Sequence, residues 1–277
     1  MTPDILHPTY YSPDPIDNSK AMVLTVFDMI HERMPGYFDG RDSTSRLKKS
    51  AVERADHVIC ISENTQEDLV ELFGIEASKT SVVHLGHTVR GHLADIKPAI
   101  TAPYILYVGM RQGHKNFDAL LSAYGASHHL HHNFKLLCAG GGPFNRHERN
   151  RIRAMNLDEN RCMQVATDDE RLASLYAHAS LFVYPSMYEG FGIPLLEAMS
   201  LDCPIVCSAA GSIPEVAGDA ALYFDPSDIE ELATVMISAI DDEDGSSQRV
   251  RRGRERLSQF SWNRCARETL SVYRSLL

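Results

Sequence analysis

The sequence predicts an α/β protein built on doubly wound parallel sheets, and three observations lead there. Apolar strand-like runs alternate with helical runs along most of the chain, the pattern that sets helices on the faces of parallel strands. Glycines stand directly after several of these runs, at Gly109, at Gly140, Gly141 and Gly142, and at Gly190 and Gly192, where a turning backbone can approach a ligand closely. Residues 86–103 break the alternation, with two prolines, two glycines and no clear period, and mark a boundary between two blocks. A chain of 277 residues is long enough for two modest α/β domains. The expected division is residues 1–95, residues 96–260 and a closing helical segment over 261–277.

The first block reads as a strand over residues 21–27, a loop through Pro35 and a helix over 43–54. A strand over 57–61 follows, then a helix opened by Ser62, whose hydroxyl suits an N-cap ahead of Thr65, Gln66 and Glu67. A short strand near 81–85 closes the block. The second block is more regular, with strands expected over 104–109, 134–139, 162–165, 181–184, 204–208 and 221–224. Helices are expected between them over 116–126, 143–155, 168–177, 193–200 and 213–217, with another starting at Ser227. The tail from Gln248 reads as one or two amphipathic helices interrupted near 260–262. In a doubly wound sheet the ligand sits beyond the carboxyl ends of the strands. The strand-end turns are therefore where chemistry is sought.

Composition narrows the partners. Hydrophobic content of 44% and charged content of 23% are those of an ordinary soluble globular chain. No apolar run approaches the ~18 residues of a membrane span, and the opening MTPDILHPTYYSPDP lacks the basic and apolar regions of a signal peptide. A cytoplasmic location is expected. A net charge of −10 argues against a nucleic-acid partner, which calls for a basic footprint. The six cysteines form no CxxC pair, and Cys60, Cys138 and Cys207 lie inside apolar runs, so they are read as reduced structural thiols.

The strongest motif is Glu189-Gly-Phe-Gly-Ile-Pro-Leu-Leu-Glu197. It follows a strand, turns on Gly190 and Gly192, and opens a helix at Ile193-Pro194, where proline suits the first helical turn. Free N–H groups at that helix start suit a phosphate. The two carboxylates are spaced to bond hydroxyls at the two ends of one sugar nucleotide. A plain strand–turn–helix corner with two solvated glutamates is the alternative. The second motif, Val108-Gly-Met-Arg111-Gln-Gly-His-Lys115-Asn116, brings two cations to a helix start. Positive charge is unfavourable there, and a bound diphosphate resolves the conflict through charge-assisted bonds. Two solvated surface cations are the alternative.

In these residues the sequence resembles the glycosyltransferase family 4 branch of retaining GT-B enzymes. Its E-x7-E signature matches Glu189 and Glu197, and the resemblance runs on through FVYPSMYEGFGIPLLEAMSLDCPIVCSAAGSIPEVAGDAALYFDP. The resemblance implies two Rossmann-like domains, an acceptor-side one followed by a donor-binding one, with the last helix crossing back to the first. It implies that Glu189 contacts the donor sugar's hydroxyls and Glu197 the ribose, with Gly190, Phe191, Gly192 and Ile193 also binding the donor. It implies that Arg111 and Lys115, beside Gly109, neutralise the diphosphate leaving group without a metal or other cofactor. It also implies that Gly141 lies in a glycine turn beside the donor and that Val165 and Ala166 lie in the loop near the base. The implied reaction moves a hexose, mannose or glucose, from GDP-mannose or UDP-glucose to a glycan or lipid-linked acceptor with retention. A non-catalytic or partner-dependent nucleotide-sugar-binding subunit is the alternative.

The family's pattern places a histidine after the strand of the first domain, where this chain has Phe27-Asp28, with His31 four residues later. His31 either turns toward the same cleft or packs on its loop. The resemblance also implies further βα units before the segment matching Asp4 to His7. The first domain is thus expected to be abbreviated, with an exposed sheet edge, and the chain to pair with a copy of itself or with a partner chain. Three features receive plainer readings. The cluster His128, His129, His131 and His132 reads as a solvated loop, and residues 241–244 as an acidic surface loop. The basic run over 249–256 reads as a solvated helix face, with peripheral contact to an anionic membrane face as its alternative.

Overall fold

The computed structural model describes residues 3–12, 19–88, 97–98, 100–158 and 160–277. The chain divides into two compact units. The first takes Met1–Gly86, Tyr188–Phe191 and Phe260–Leu277, and the second takes His87–Met187 and Gly192–Gln259.

The first unit holds the strands β1 (Ile5–Leu6) and β2 (Ala21–Val26), then the short helix α1 (Ile30–Arg33) and the helix α2 (Thr44–Arg54). Strand β3 (His57–Cys60), helix α3 (Glu63–Phe73) and strand β4 (Thr80–Val82) complete its alternation. All pairings are parallel, in the order β1-β2-β3-β4. Side chains alternate across the sheet as a period of two requires. Leu24, Val26, Val58 and Cys60 share one cluster with Ala51, Val52 and Leu69 of the helices. Val23 and Ile59 point the other way and pack with Val272. Ser62 caps α3 as expected, accepting from the Thr65 N–H at 3.0 Å.

The second unit begins with β5 (Tyr104–Val108), α4 (Phe117–Ala126) and α5 (His128–Asn133), followed by β6 (Lys135–Ala139) and α6 (Arg146–Ala154). Next come β7 (Cys162–Val165), α7 (Asp169–Ala177), β8 (Leu181–Tyr184) and α8 (Ile193–Ser200). Strand β9 (Ile205–Ser208), helix α9 (Ile213–Ala217), strand β10 (Ala221–Phe224) and helices α10 (Ile229–Asp241) and α11 (Glu243–Leu257) end it. The closing helix α12 (Trp262–Ser275) falls in the first unit. The six strands run parallel in the order β10-β9-β8-β5-β6-β7. Both faces are covered, so every residue of β8 and β9 is buried. The chain steps outward from β5 through β6 to β7, then returns to the other side of β5 at β8. The carboxyl ends of β5 and β8 therefore flank the switch point where such sheets bind ligands.

Three expectations are corrected. The helix after β6 starts at Arg146, not at residue 143, because Asn145 and Glu148 form a capping box that fixes the start. The histidine cluster is not a loop. Ser127 accepts from the Leu130 N–H and starts α5, which buries Leu130 and stacks His128 on His132. Residues 241–244 form no acidic loop either. Asp242 accepts from the Gly245 N–H at 2.9 Å and starts α11, with Glu243 and Asp244 in the first turn, where negative charge is favoured.

Candidate active site

Strand β5 ends in the loop that carries the two cations. Arg111 is buried and surrounded. Its Nε donates to Glu148 Oε1 at 2.8 Å, Nη1 donates to the Gly140 carbonyl at 2.7 Å, and Nη2 donates to the carbonyls of Gly142 at 2.8 Å and Pro143 at 3.2 Å. The guanidinium also lies 4.9 Å from the centre of the Phe144 ring. Gly140, Gly141 and Gly142 take φ of 90°, 67° and 68°, all in the left-handed region. The triple glycine thus has a physical cause. The chain must coil around Arg111 in a conformation costly for other residues, and a Cβ at Gly141 would stand 2.8 Å from Arg111 Nη1. Lys115 closes a single 3₁₀ turn, Gly113–Lys115, and is half-buried. Asn116 follows in a left-handed conformation and donates from Nδ2 to the Pro226 carbonyl at 2.8 Å.

Strand β8 ends in the loop that carries the glutamates. The Met187 N–H donates to the His114 carbonyl at 2.7 Å, so the loops after β5 and β8 are joined directly. Gly192, at φ 114°, turns the chain into α8, with Pro194 in its first turn. Ile193 is exposed at that helix start. Glu197 is half-buried and accepts from the Tyr176 hydroxyl at 3.2 Å. It lines a small cleft with Thr88, Leu172 and Ser200. At the end of β7, Val165 is buried and Ala166 exposed, just before Asp168 caps α7 by accepting from the Arg171 N–H at 2.8 Å.

Glu189 lies between β8 and α8 in sequence, on the segment Tyr188–Phe191 that packs with the first unit, and it is buried. The close approach expected at Gly190 is made to protein. A Cβ there would meet the Phe27 carbonyl oxygen at 1.9 Å, and the Gly190 carbonyl accepts from Ser62 Oγ at 2.8 Å. Ligand approach is not what excludes a side chain at this glycine. Phe191 is buried against Phe260. Phe27 is 40% exposed. His31 takes the second of its two expected arrangements. Its ring stacks on Phe38 at 3.9 Å and its Nε2 lies 3.3 Å from Asp42 Oδ2.

The basic run is largely paired within the second unit. Arg249 meets Asp242, Arg254 forms a fork with Asp202, and Arg256 donates from Nε to the Val216 carbonyl at 2.6 Å. Among the described residues no group of three or more His, Cys, Asp or Glu side chains is placed to hold a metal ion. All six cysteines are free, and burial pushes the Cys60 thiol up to about 12 and those of Cys203 and Cys207 further. Glu148 was missing from the sequence reading. Its signal was the spacing Asn145-x-x-Glu148, a capping box whose carboxylate also serves Arg111.

Residues 94–256 match the family described as glycosyl transferases group 1, and residues 2–89 match glycosyltransferase family 4. The chain belongs to the glycosyl transferases group 1 family. It is a glycosyltransferase, as the E-x7-E resemblance implied. It is 29% identical over 283 residues to O-antigen chain mannosyltransferase B of Escherichia coli, covering 97% of this chain and 73% of that protein. A serotype-specific mannosyltransferase, WbdA, of the same organism is 28% identical over 246 residues, or 83% of this chain, but the match spans only 30% of WbdA. Among solved structures, sucrose-phosphate synthase from Thermosynechococcus elongatus superposes with a TM-score of 0.79 at 23% identity, over 99% of this chain and 73% of that one. Anabaena HepE in complex with UDP-glucose superposes with a TM-score of 0.75 at 19% identity, over 92% of this chain and 72% of that one. The fold is the expected GT-B type. No helix among the described residues is long and apolar enough to cross a membrane.

Proposed function

We propose that this glycosyltransferase moves a hexose from a nucleotide diphosphate sugar, GDP-mannose or UDP-glucose, to a glycan or lipid-linked acceptor with retention at the anomeric carbon. The observation that carries the reading is the junction at the switch point, where the Met187 N–H of the glutamate-bearing loop bonds the His114 carbonyl of the lysine-bearing loop at 2.7 Å. That bond ties the loop of Lys115, expected at the diphosphate, to the end of β8, whose chain runs on to α8 and Glu197, expected at the ribose. In this reading Lys115 takes the charge that develops on the departing diphosphate, a preorganised electrostatic contribution. Glu197 accepts from a ribose hydroxyl and Glu189 from the sugar. Gly109, Gly141, Phe191, Gly192 and Ile193 supply backbone along the donor, and Val165 and Ala166 border the base. Arg111 acts one step back. It gathers the carbonyls of Gly140, Gly142 and Pro143, which turns the glycine loop's carbonyl edge away from an approaching anion.

Mannose is favoured by the mannosyltransferase relatives, and UDP-glucose by the ligand in the HepE structure. The second reading is a partner-dependent nucleotide-sugar-binding subunit. It is favoured by the apolar, half-exposed Phe27 at the family's histidine position and by the seating of His31 on Phe38.

The test is a transfer assay with each donor and a mannose- or glucose-terminated glycan, with the product's anomeric configuration read by NMR. Formation of an axial linkage from an axial donor supports the proposal. An equatorial linkage overturns retention. Donor binding without product from any acceptor favours the subunit reading.

A further inference from the structure

The segment carrying Glu189 is held by residues outside any assigned site. The Tyr188 hydroxyl donates to the buried Asp68 carboxylate. Asn64 Nδ2 donates both to Asp68 Oδ2 and to the Tyr188 oxygen, each at 3.1 Å. Arg33 Nε donates to Asp68 Oδ1 at 2.7 Å, so the carboxylate is fixed from two sides. Two residues on, Ser62 Oγ donates to the Gly190 carbonyl at 2.8 Å, with Thr65 Oγ1 at 3.3 Å from the same oxygen. The Gly190 Cα lies against the Phe27 carbonyl, closer than any side chain would permit. Glu189 is thus gripped on both sides, through a buried side chain before it and a carbonyl after it. A loop that only closed a strand–helix corner would need neither.

We infer that Tyr188, Asp68 and Ser62 are positioning residues that set the Glu189 carboxylate for the donor sugar. This rests on the proposed role of Glu189. A buried carboxylate on a loop has several rotamers and backbone settings, and hydrogen bonding to a sugar requires one of them. Misplacement by about 1 Å can cost about 100-fold where a group must meet its partner in one geometry.

The test compares calorimetric affinities for GDP-mannose against GDP, and for UDP-glucose against UDP, in the full chain. Wild type, Tyr188→Phe, Ser62→Ala, Glu189→Gln and the two doubles with Glu189→Gln are measured, each checked for folding by thermal melt. The expected result is that Tyr188→Phe and Ser62→Ala weaken the nucleotide sugar by about 10-fold, the scale of one hydrogen bond to a charged group, and leave the free diphosphate unchanged. Each double variant should bind no more weakly than Glu189→Gln alone, because both changes act through one carboxylate. Equal loss for sugar nucleotide and free diphosphate, or full additivity in both doubles, overturns the inference while leaving Glu189 in place. If Glu189→Gln itself leaves sugar affinity at the wild-type value, both the inference and the role of Glu189 fail.

Discussion

In the second unit the buried charges Arg111 and Glu148 lie beyond the carboxyl ends of β5 and β6, and they bind loop to helix start. In the first unit Lys48 and Asp68 are buried beneath a helix of only four residues. Lys48 Nζ, on α2, donates to Glu32 Oε2 and to the Asp28 carbonyl, each at 2.8 Å, while Asp68, on α3, receives Arg33. Helix α1 is too short to stand by its own hydrogen bonds and is pinned by a charge pair to each neighbouring helix. Both sheets are apolar inside. Buried charge thus marks places where regular structure is absent and a loop must still be held, the glycine loop after β6 in one unit and the segment of α1 in the other.

The largest expected effect comes from Arg111→Ala, which strands Glu148 without its partner and is expected to cost about 3–5 kcal/mol. Urea unfolding of the variant against wild type measures it. Arg111→Lys should recover little, since one ammonium cannot reach Glu148 and three carbonyls together. A cost under about 1 kcal/mol, the range of an exposed ion pair, would restore Arg111 as a cation available to a ligand.

Two glycines sharpen the contrast between the units. Gly190→Ala must push the Phe27 carbonyl aside and is expected to cost about 1–3 kcal/mol in the first unit. Gly142→Ala meets nothing within 4 Å but sits at φ 68°, so its expected cost of about 1–2 kcal/mol is conformational alone. Thermal melts of the two variants compare them. Replacing Gly142 with Asn, which tolerates the left-handed region, should be milder, whereas Gly190→Asn should be no better than Ala. A smaller change is expected from Asn145→Ala, which removes the capping box of α6 at about 1 kcal/mol. If it costs as much as Arg111→Ala, the cap and not the guanidinium organises the glycine loop.

The smallest effect is a pH dependence confined to the first unit. His7 Nε2 lies 2.9 Å from Thr25 Oγ1 and Nδ1 lies 2.6 Å from the Tyr273 hydroxyl. Burial lowers the His7 pKa below its ordinary value of 6.5. Folding therefore favours the neutral ring. That contribution is fully present above the unfolded value and is lost as pH falls through the lowered one. Acidification from pH 7.5 to 5 should lower the urea midpoint by more in wild type than in His7→Gln, and equal slopes would exclude His7 as the cause.

The sequence made some of this legible and hid the rest for identifiable reasons. The alternation of strands and helices, the Ser62 cap and the strand–turn–helix around Glu189 to Glu197 are local patterns, and the structure contains them. The partner of Arg111 is 37 residues away, so its bond to Glu148 was not legible in the local motif. The close approach of Gly190 to the Phe27 carbonyl was hidden for the same reason, because Phe27 stands far from it in sequence. Residues 241–244 and the histidine cluster were misread locally. Polar composition suggested loops, while Asp242 and Ser127 are helix caps and set helices in both places.

A donor crevice at the switch point between β5 and β8 is tested by calorimetric titration of wild type, Lys115→Ala and Glu197→Ala with GDP and UDP. Wild type should bind one of the two diphosphates, with a loss of about 10-fold or more in each variant, the scale of a charged hydrogen bond. Equal affinity in all three folded proteins would put the nucleotide elsewhere and exclude this crevice as the donor site.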